Sequence, residues 1–223
     1  MANFNTHLSL AGIGSGLLAS AAIAAGVSTT SEGMVLWLTG TLGGLLPDVD
    51  ADNSSSLKVV FNCIALLLTV VIIVRLSHTQ PLTQVWLIII GVYLCLRWLA
   101  LPLFKQFTVH RGSWHSLLTG LTLSLLVTDI AWHVVGVSAT FAWLLGIFLG
   151  VGFLIHLLLD EIYAFDISGT RFKRSFGSAC KPIPLSQPVV SGALLLICAM
   201  LVTWLPPLAV LKASLATFRS IPL

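Results

Sequence analysis

Charge is what this sequence has least of. Only 9% of its 223 residues are Asp, Glu, Lys or Arg, where a soluble domain carries about 25%. Eleven Lys and Arg against eight Asp and Glu leave a formal charge of +3. That excess is too small and too dispersed for the dense basic footprint a nucleic acid needs, so no nucleic-acid partner is expected. The four cysteines, Cys63, Cys95, Cys180 and Cys198, lie in or beside apolar segments without paired spacing. This excludes a disulfide framework and a zinc knuckle, and leaves buried thiols. No Lys or Arg falls between Met1 and Asn5, so a cleaved signal peptide, which opens on a basic region, is not expected. No internal repeat and no soluble domain stands out.

What is present is apolar. Hydrophobic residues make up 57% of the chain and the mean hydropathy is +1.01, the composition of an integral membrane protein. A crossing takes roughly 20 helical residues. Residues 8–27 form a first span rich in small residues (Gly12, Gly14, Gly16, Ala19, Ala22, Ala25), which let other helices approach closely and place it centrally in the bundle. Residues 34–46 form a shorter helix that ends at Pro47. A short helix at membrane depth is tolerated where it lines a protein-enclosed cavity. Residues 57–76 and 82–104 predict one hairpin, and 117–135 with 139–159 a second. A polar loop over 166–187 precedes a last span near 188–205 and an amphipathic tail over 208–223. The expected fold is therefore all-α: a single integral membrane domain over 1–223, with six to seven transmembrane or partly inserted helices.

Polar residues gather in four knots. The densest is His110-Arg111-Gly112-Ser113-Trp114-His115-Ser116, between two apolar segments. The others are His7, the cluster Asp48, Asp50 and Asp52, and His156 with Asp160. Ionisable groups this rare in a membrane chain mark functional sites. His156 and Asp160, four apart, share one helix face and can offer nitrogen and oxygen to one cation, although the same spacing serves an internal hydrogen-bonded pair. Asp48 and Asp50 can flank divalent ions that relieve their mutual repulsion, whereas Asp52 reads as part of a solvated loop. His110 and His115 flank the start of a helix. Arg111 is a fork of donors suited to phosphate or carboxylate, or a charge snorkelling to the interface. Ser116 has no base at a known spacing to make it a nucleophile. The expected ligand set is His7, Asp48, Asp50, His110, His115, His156 and Asp160. With nitrogen and oxygen donors and no cysteine nearby, it suits zinc, in two or more ions, or manganese. Asp129 and His133 read as a structural i,i+4 pair, His78 as an interfacial histidine, and Arg97 as a costly intramembrane charge.

Counting crossings from His7 brings every knot back to one membrane face. That face also collects Lys58, Lys105, Arg111, Arg171, Lys173, Arg174 and Lys181, against Arg75, Lys212 and Arg219 opposite. By the positive-inside rule it is cytoplasmic.

His7, Leu46-Pro47-Asp48-Val49-Asp50, His110-Arg111-Gly112-x-x-His115-Ser116 and His156-x3-Asp160 together resemble the YdjM family over roughly residues 1–165. The resemblance implies a bacterial inner-membrane, metal-dependent hydrolase, distantly similar to zinc-dependent phospholipase C and the P1-type nucleases. Those enzymes hydrolyse phosphodiesters with zinc ions held by His and Asp or Glu. Their helical His-x3-Glu pair is matched in kind by His156-x3-Asp160, while their N-terminal tryptophan ligand has no counterpart at Met1. Trp114 stands where the family is associated with Thr. The function so implied is cleavage of a phosphoester in a phospholipid or polyprenyl-phosphate-type substrate by metal-activated water. Asp48 or Asp50 would act on the water and Arg111 on the phosphate charge. The other classes are a metal- or proton-coupled transporter, which needs polar groups along its depth, and a membrane protein with a structural metal.

Overall fold

The computed structural model describes residues 3–50, 55–103, 114–166, 171–172, 180–185 and 187–219. Among them the regular structure is helical apart from a two-residue antiparallel pair, Phe165–Asp166 with Arg171–Phe172, and an isolated bridge between Ser116 and Lys181. The helices are α1 (Phe4–Ala24), α2 (Thr30–Gly43), α3 (Ser55–Leu76), α4 (Leu82–Cys95), α5 (Leu117–Asp129), α6 (Ala139–Ala164), α7 (Pro188–Val202) and α8 (Leu208–Arg219). A 3-10 turn covers Pro47–Asp50, and π-helical turns extend α4 over Leu96–Ala100 and α5 over Ile130–Val135. Five helices are long and apolar enough to cross a membrane: Phe4–Ala24, Ser55–Leu76, Leu82–Leu103, Leu117–Val135 and Ala139–Ala164. The expected all-α membrane bundle is what the chain forms.

The starts of the first two helices follow from local chemistry. Asn3 caps α1, its Oδ1 accepting the Thr6 backbone N–H at 2.8 Å. Thr29 and Glu32 form a reciprocal capping box at the start of α2, satisfying donors that the first turn leaves without partners.

The chain divides into two compact units, residues 1–47 with 111–223, and residues 48–110. In the first, α2 runs back along α1. Gly33 packs on Ile23, Gly16 on Trp37, Gly12 on Thr41 and Gly44 on Ala11. The return of α2 thus ends level with the first turns of α1. The centre of this unit is α6, not α1 as the small residues of α1 predict. In its most apolar stretch α6 is 61% buried, against 28% for α1. The reason is that α6 packs on α1, α2 and α5 together, and its own glycines admit two of those neighbours. A Cβ on Gly152 would overlap the Gly40 carbonyl oxygen of α2, and one on Gly146 would meet Thr128 Oγ1 and the Ser124 carbonyl of α5.

Asp129 and His133 share no hydrogen bond, although the His133 charge acts on the Asp129 carboxyl. His133 Nε2 lies 2.8 Å from the Trp204 carbonyl, and neither oxygen of the buried Asp129 has a hydrogen-bond partner among the described residues. The cause is the π-helical stretch that starts at Ile130. Its wider turn moves residue i+4 off the face it would share in an α-helix.

The second unit is a helical hairpin, α3 and α4, joined through residues 77–81. Only 11% of the most apolar stretch of each span is buried by the chain itself.

Candidate metal centre

His7 stands in the first turns of α1, His156 and Asp160 in the last turns of α6, and His115 two residues before α5 begins. All four side chains are buried: His7 and His115 are 1% exposed, His156 0% and Asp160 5%. The His7 and His156 rings stack, with centroids 3.6 Å apart and planes 11° from parallel. His115 meets His156 edge-on at 5.8 Å and 65°. Asp160 faces both stacked rings. Its Oδ1 lies 3.3 Å from His7 Nε2 and its Oδ2 3.9 Å from His156 Nε2. One ligand atom from each of His7, His156 and Asp160 falls within 4.8 Å of the others, so these three could hold one metal ion.

The elements around the cluster set its geometry. The glycine contact between α2 and α6 brings the end of α2 against His156, where the Gly44 carbonyl oxygen lies 2.7 Å from His156 Nδ1. A carbonyl can only accept, so Nδ1 carries the proton and Nε2 presents its lone pair towards Asp160. A metal-ligating histidine adopts this state, its other N–H donated to a carbonyl or carboxylate. The donor set of two imidazole nitrogens and a carboxylate oxygen, with His115 beside it, is one that could hold a metal ion.

The start of α5 is held from two sides. Ser116 caps the helix, its Oγ accepting the Thr119 backbone N–H at 3.2 Å. The Leu117 and Leu118 N–H groups donate to the Lys181 and Pro182 carbonyls at 2.9 and 3.1 Å. The Trp114 indole N–H donates to the Leu46 carbonyl at 2.6 Å, pinning the residue before His115 to the chain just beyond α2. Capping gives Ser116 a structural role.

Of the other residues nominated from sequence, Asp48 lies in the 3-10 turn Pro47–Asp50, which opens the second unit. The side chain of Asp50 and the whole of Asp52, His110 and Arg111 lie outside the described residues. No cysteine joins the groups of convergent donors among the described residues. Cys180, half-buried, senses the charges of Glu161 and Asp160, and burial first, then these carboxylates, push its thiol pKa up. The strap that follows it meets the start of α5 through the Lys181 and Pro182 carbonyls. Gly44, Trp114 and Cys180 were absent from the sequence-derived set. Only the run Gly40, Gly43 and Gly44 carried a sign, and it signalled close packing. Comparison with family models, with curated proteins and with solved structures gives no match, so the arrangement of His7, His115, His156 and Asp160 stands as the guide to function.

Proposed function

We propose that this protein is a membrane-bound, metal-dependent hydrolase that cleaves a phosphoester of a lipid or lipid-linked substrate. The observation that carries the reading is the Gly44 carbonyl at His156 Nδ1. It sets one buried imidazole as a lone-pair donor beside a second imidazole and a carboxylate, an arrangement that three uncharged core histidines would not need. The YdjM-like pattern of the sequence supports the same class. A divalent ion held there, zinc or manganese, supplies charge that lowers the pKa of water and stabilises the phosphate oxygens.

The chain's own residues do the rest. Gly44 holds the His156 tautomer, Asp160 spans the two stacked rings, and burial of all four side chains keeps bulk water from competing for the donors. The sequence nominates Asp48 or Asp50 to orient or deprotonate the attacking water and Arg111 to grip the phosphate. His110 is a further nominated ligand, and a second ion is part of the proposal. The membrane proposed is the bacterial inner membrane, with the site on its cytoplasmic face.

The test is metal analysis and turnover on detergent-purified protein, wild type beside His156→Ala and Asp160→Asn. The panel is phospholipids and polyprenyl phosphates with zinc or manganese, followed by release of phosphate or a soluble head group. Loss of a ligand should weaken metal retention by at least about 10- to 100-fold, the range seen even for outer-shell changes, and should abolish release. Metal-coupled flux in proteoliposomes with no hydrolysis would reverse the ranking in favour of a carrier. Protein that retains no zinc or manganese after reconstitution would remove the centre altogether.

A further inference from the structure

The α3–α4 hairpin carries a second polar feature, separate from the histidine cluster. Lys58, Asn62, Tyr93, Arg97 and Trp98 line a cleft of about 740 Å³ with apolar residues such as Phe61 and Leu101. Lys58 and Asn62 are one helical turn apart on α3. Tyr93 and Arg97 face them from α4, where the π-helical turn Leu96–Ala100 carries Arg97 and Trp98. Among the described residues the lining holds two cations and no carboxylate. Neither Lys58 nor Arg97 forms an ion pair with any described residue. An arginine inside an apolar span is costly unless an anion or water meets it.

Depth narrows the class of anion. Arg97 precedes the end of its span, Leu103, by about 9 Å of helix rise at 1.5 Å per residue, within snorkelling reach of the interface. Lys58 lies in the first turn of α3, at the same end of the hairpin. Trp98, exposed and one residue nearer that end than Arg97, is an amphipathic ring of the kind that settles towards headgroup level, while Tyr93 lies one turn deeper. The lining combines apolar side chains with a guanidinium fork, an ammonium, an amide and a phenol.

We infer that this cleft binds the phosphate of an anionic phospholipid, with Arg97 and Lys58 on the phosphate oxygens and the acyl chains along Phe61 and Leu101. The guanidinium supplies paired donors and the ammonium a point charge, the division of labour phosphate recognition uses. This assignment rests on the hairpin alone and is independent of the metal centre.

Native mass spectrometry of the full-length protein in detergent tests it, with chelator present so that no hydrolysis intervenes. The probes are phosphatidylglycerol, phosphatidylcholine and inorganic phosphate. Wild type should retain phosphatidylglycerol over phosphatidylcholine, and added salt should weaken that preference. Arg97→Gln and Lys58→Gln should each lower phosphatidylglycerol retention by about tenfold, the value of one charged hydrogen bond, and Arg97→Lys should lose less. Equal retention of the two lipids, or an unchanged preference in both glutamine variants, would overturn the site. Free phosphate competing as well as the lipid would overturn the lipid assignment. Should Arg97→Gln fail to fold, the exposed Lys58→Gln and the wild-type lipid comparison still decide the matter.

Discussion

Cys180 gives the residue scale its most direct readout. Burial, with Glu161 and then Asp160 adding negative charge, raises its thiol above the ordinary value of 9.0. Less thiolate is then present at any given pH, and thiolate is the reacting form. In a variant keeping Cys180 as sole cysteine, iodoacetamide labelling under chelator should show a midpoint above 9.0, and Glu161→Gln should move it down. A midpoint at or below the ordinary value would mean that the thiol is not buried as described, and no response to Glu161→Gln would remove the carboxylate contribution. At this scale the legible part of the site is what helix geometry encodes. His156 and Asp160 share a face because they are four apart on one α-helix, and His7 joins them because α2 returns along α1. The Gly44 oxygen was not legible, since a backbone carbonyl leaves no mark in the sequence and the glycine beside it signals packing. Cys180 was hidden for a different reason: the charges of Glu161 and Asp160 that act on it belong to α6, and no local spacing links them to it.

Among the elements, the contact between α2 and α6 links packing to chemistry. A Cβ at Gly152 would overlap the Gly40 carbonyl oxygen and come within 2.9 Å of the Gly44 nitrogen, both of them backbone atoms that cannot swing aside. Gly152→Ala should therefore push α2 away from α6, at an overpacking cost of about 1–3 kcal/mol. It should also shift the Gly44 carbonyl from His156, so metal retention should fall together with thermal stability. Gly192→Ala on α7 meets nothing within 4 Å and is the matched control. It should be neutral or stabilising by about 0.5–1 kcal/mol. Equal behaviour of the two variants would show that the glycine seam does not position the site. The same elements mark where periodicity misleads. The small residues of α1 suggested a central helix, but centrality belongs to α6, which has close-packing glycines facing both α2 and α5. The spacing of Asp129 and His133 suggested a pair, but a π-helical turn leaves them without a shared hydrogen bond, and nothing in the run Ile130–Val135 announces the wider turn.

At the scale of the whole molecule, the proposed function needs the polar knots on one side of the membrane. The hydrocarbon core is about 30 Å thick, and five helices meet that length. Helix α2, with 14 residues, rises only about 21 Å. Its side-by-side contacts with α1, from Gly33 at one end to Gly44 at the other, nonetheless return the chain to the level of His7. In the proposed topology each of α1 to α6 crosses, and six such passages would bring Asp160 back to the starting side. Helix α7, with 15 residues, is nearly as short as α2 but has no such run of contacts along α1 among the described residues, and its length leaves a short crossing or a re-entrant turn. In a cysteine-free background, cysteine at Ser54 and cysteine at Gly177 should react with a membrane-impermeant maleimide from the same, cytoplasmic side. Cysteine at Arg219 should react from the opposite side if α7 crosses. Labelling of positions 54 and 177 from opposite faces would break the crossing count and, with it, the proposal that Asp48 shares a face with His156 and Asp160. Labelling of position 219 from the cytoplasmic side would make α7 re-entrant and leave the histidine cluster intact, because none of His7, His115, His156 and Asp160 follows that helix.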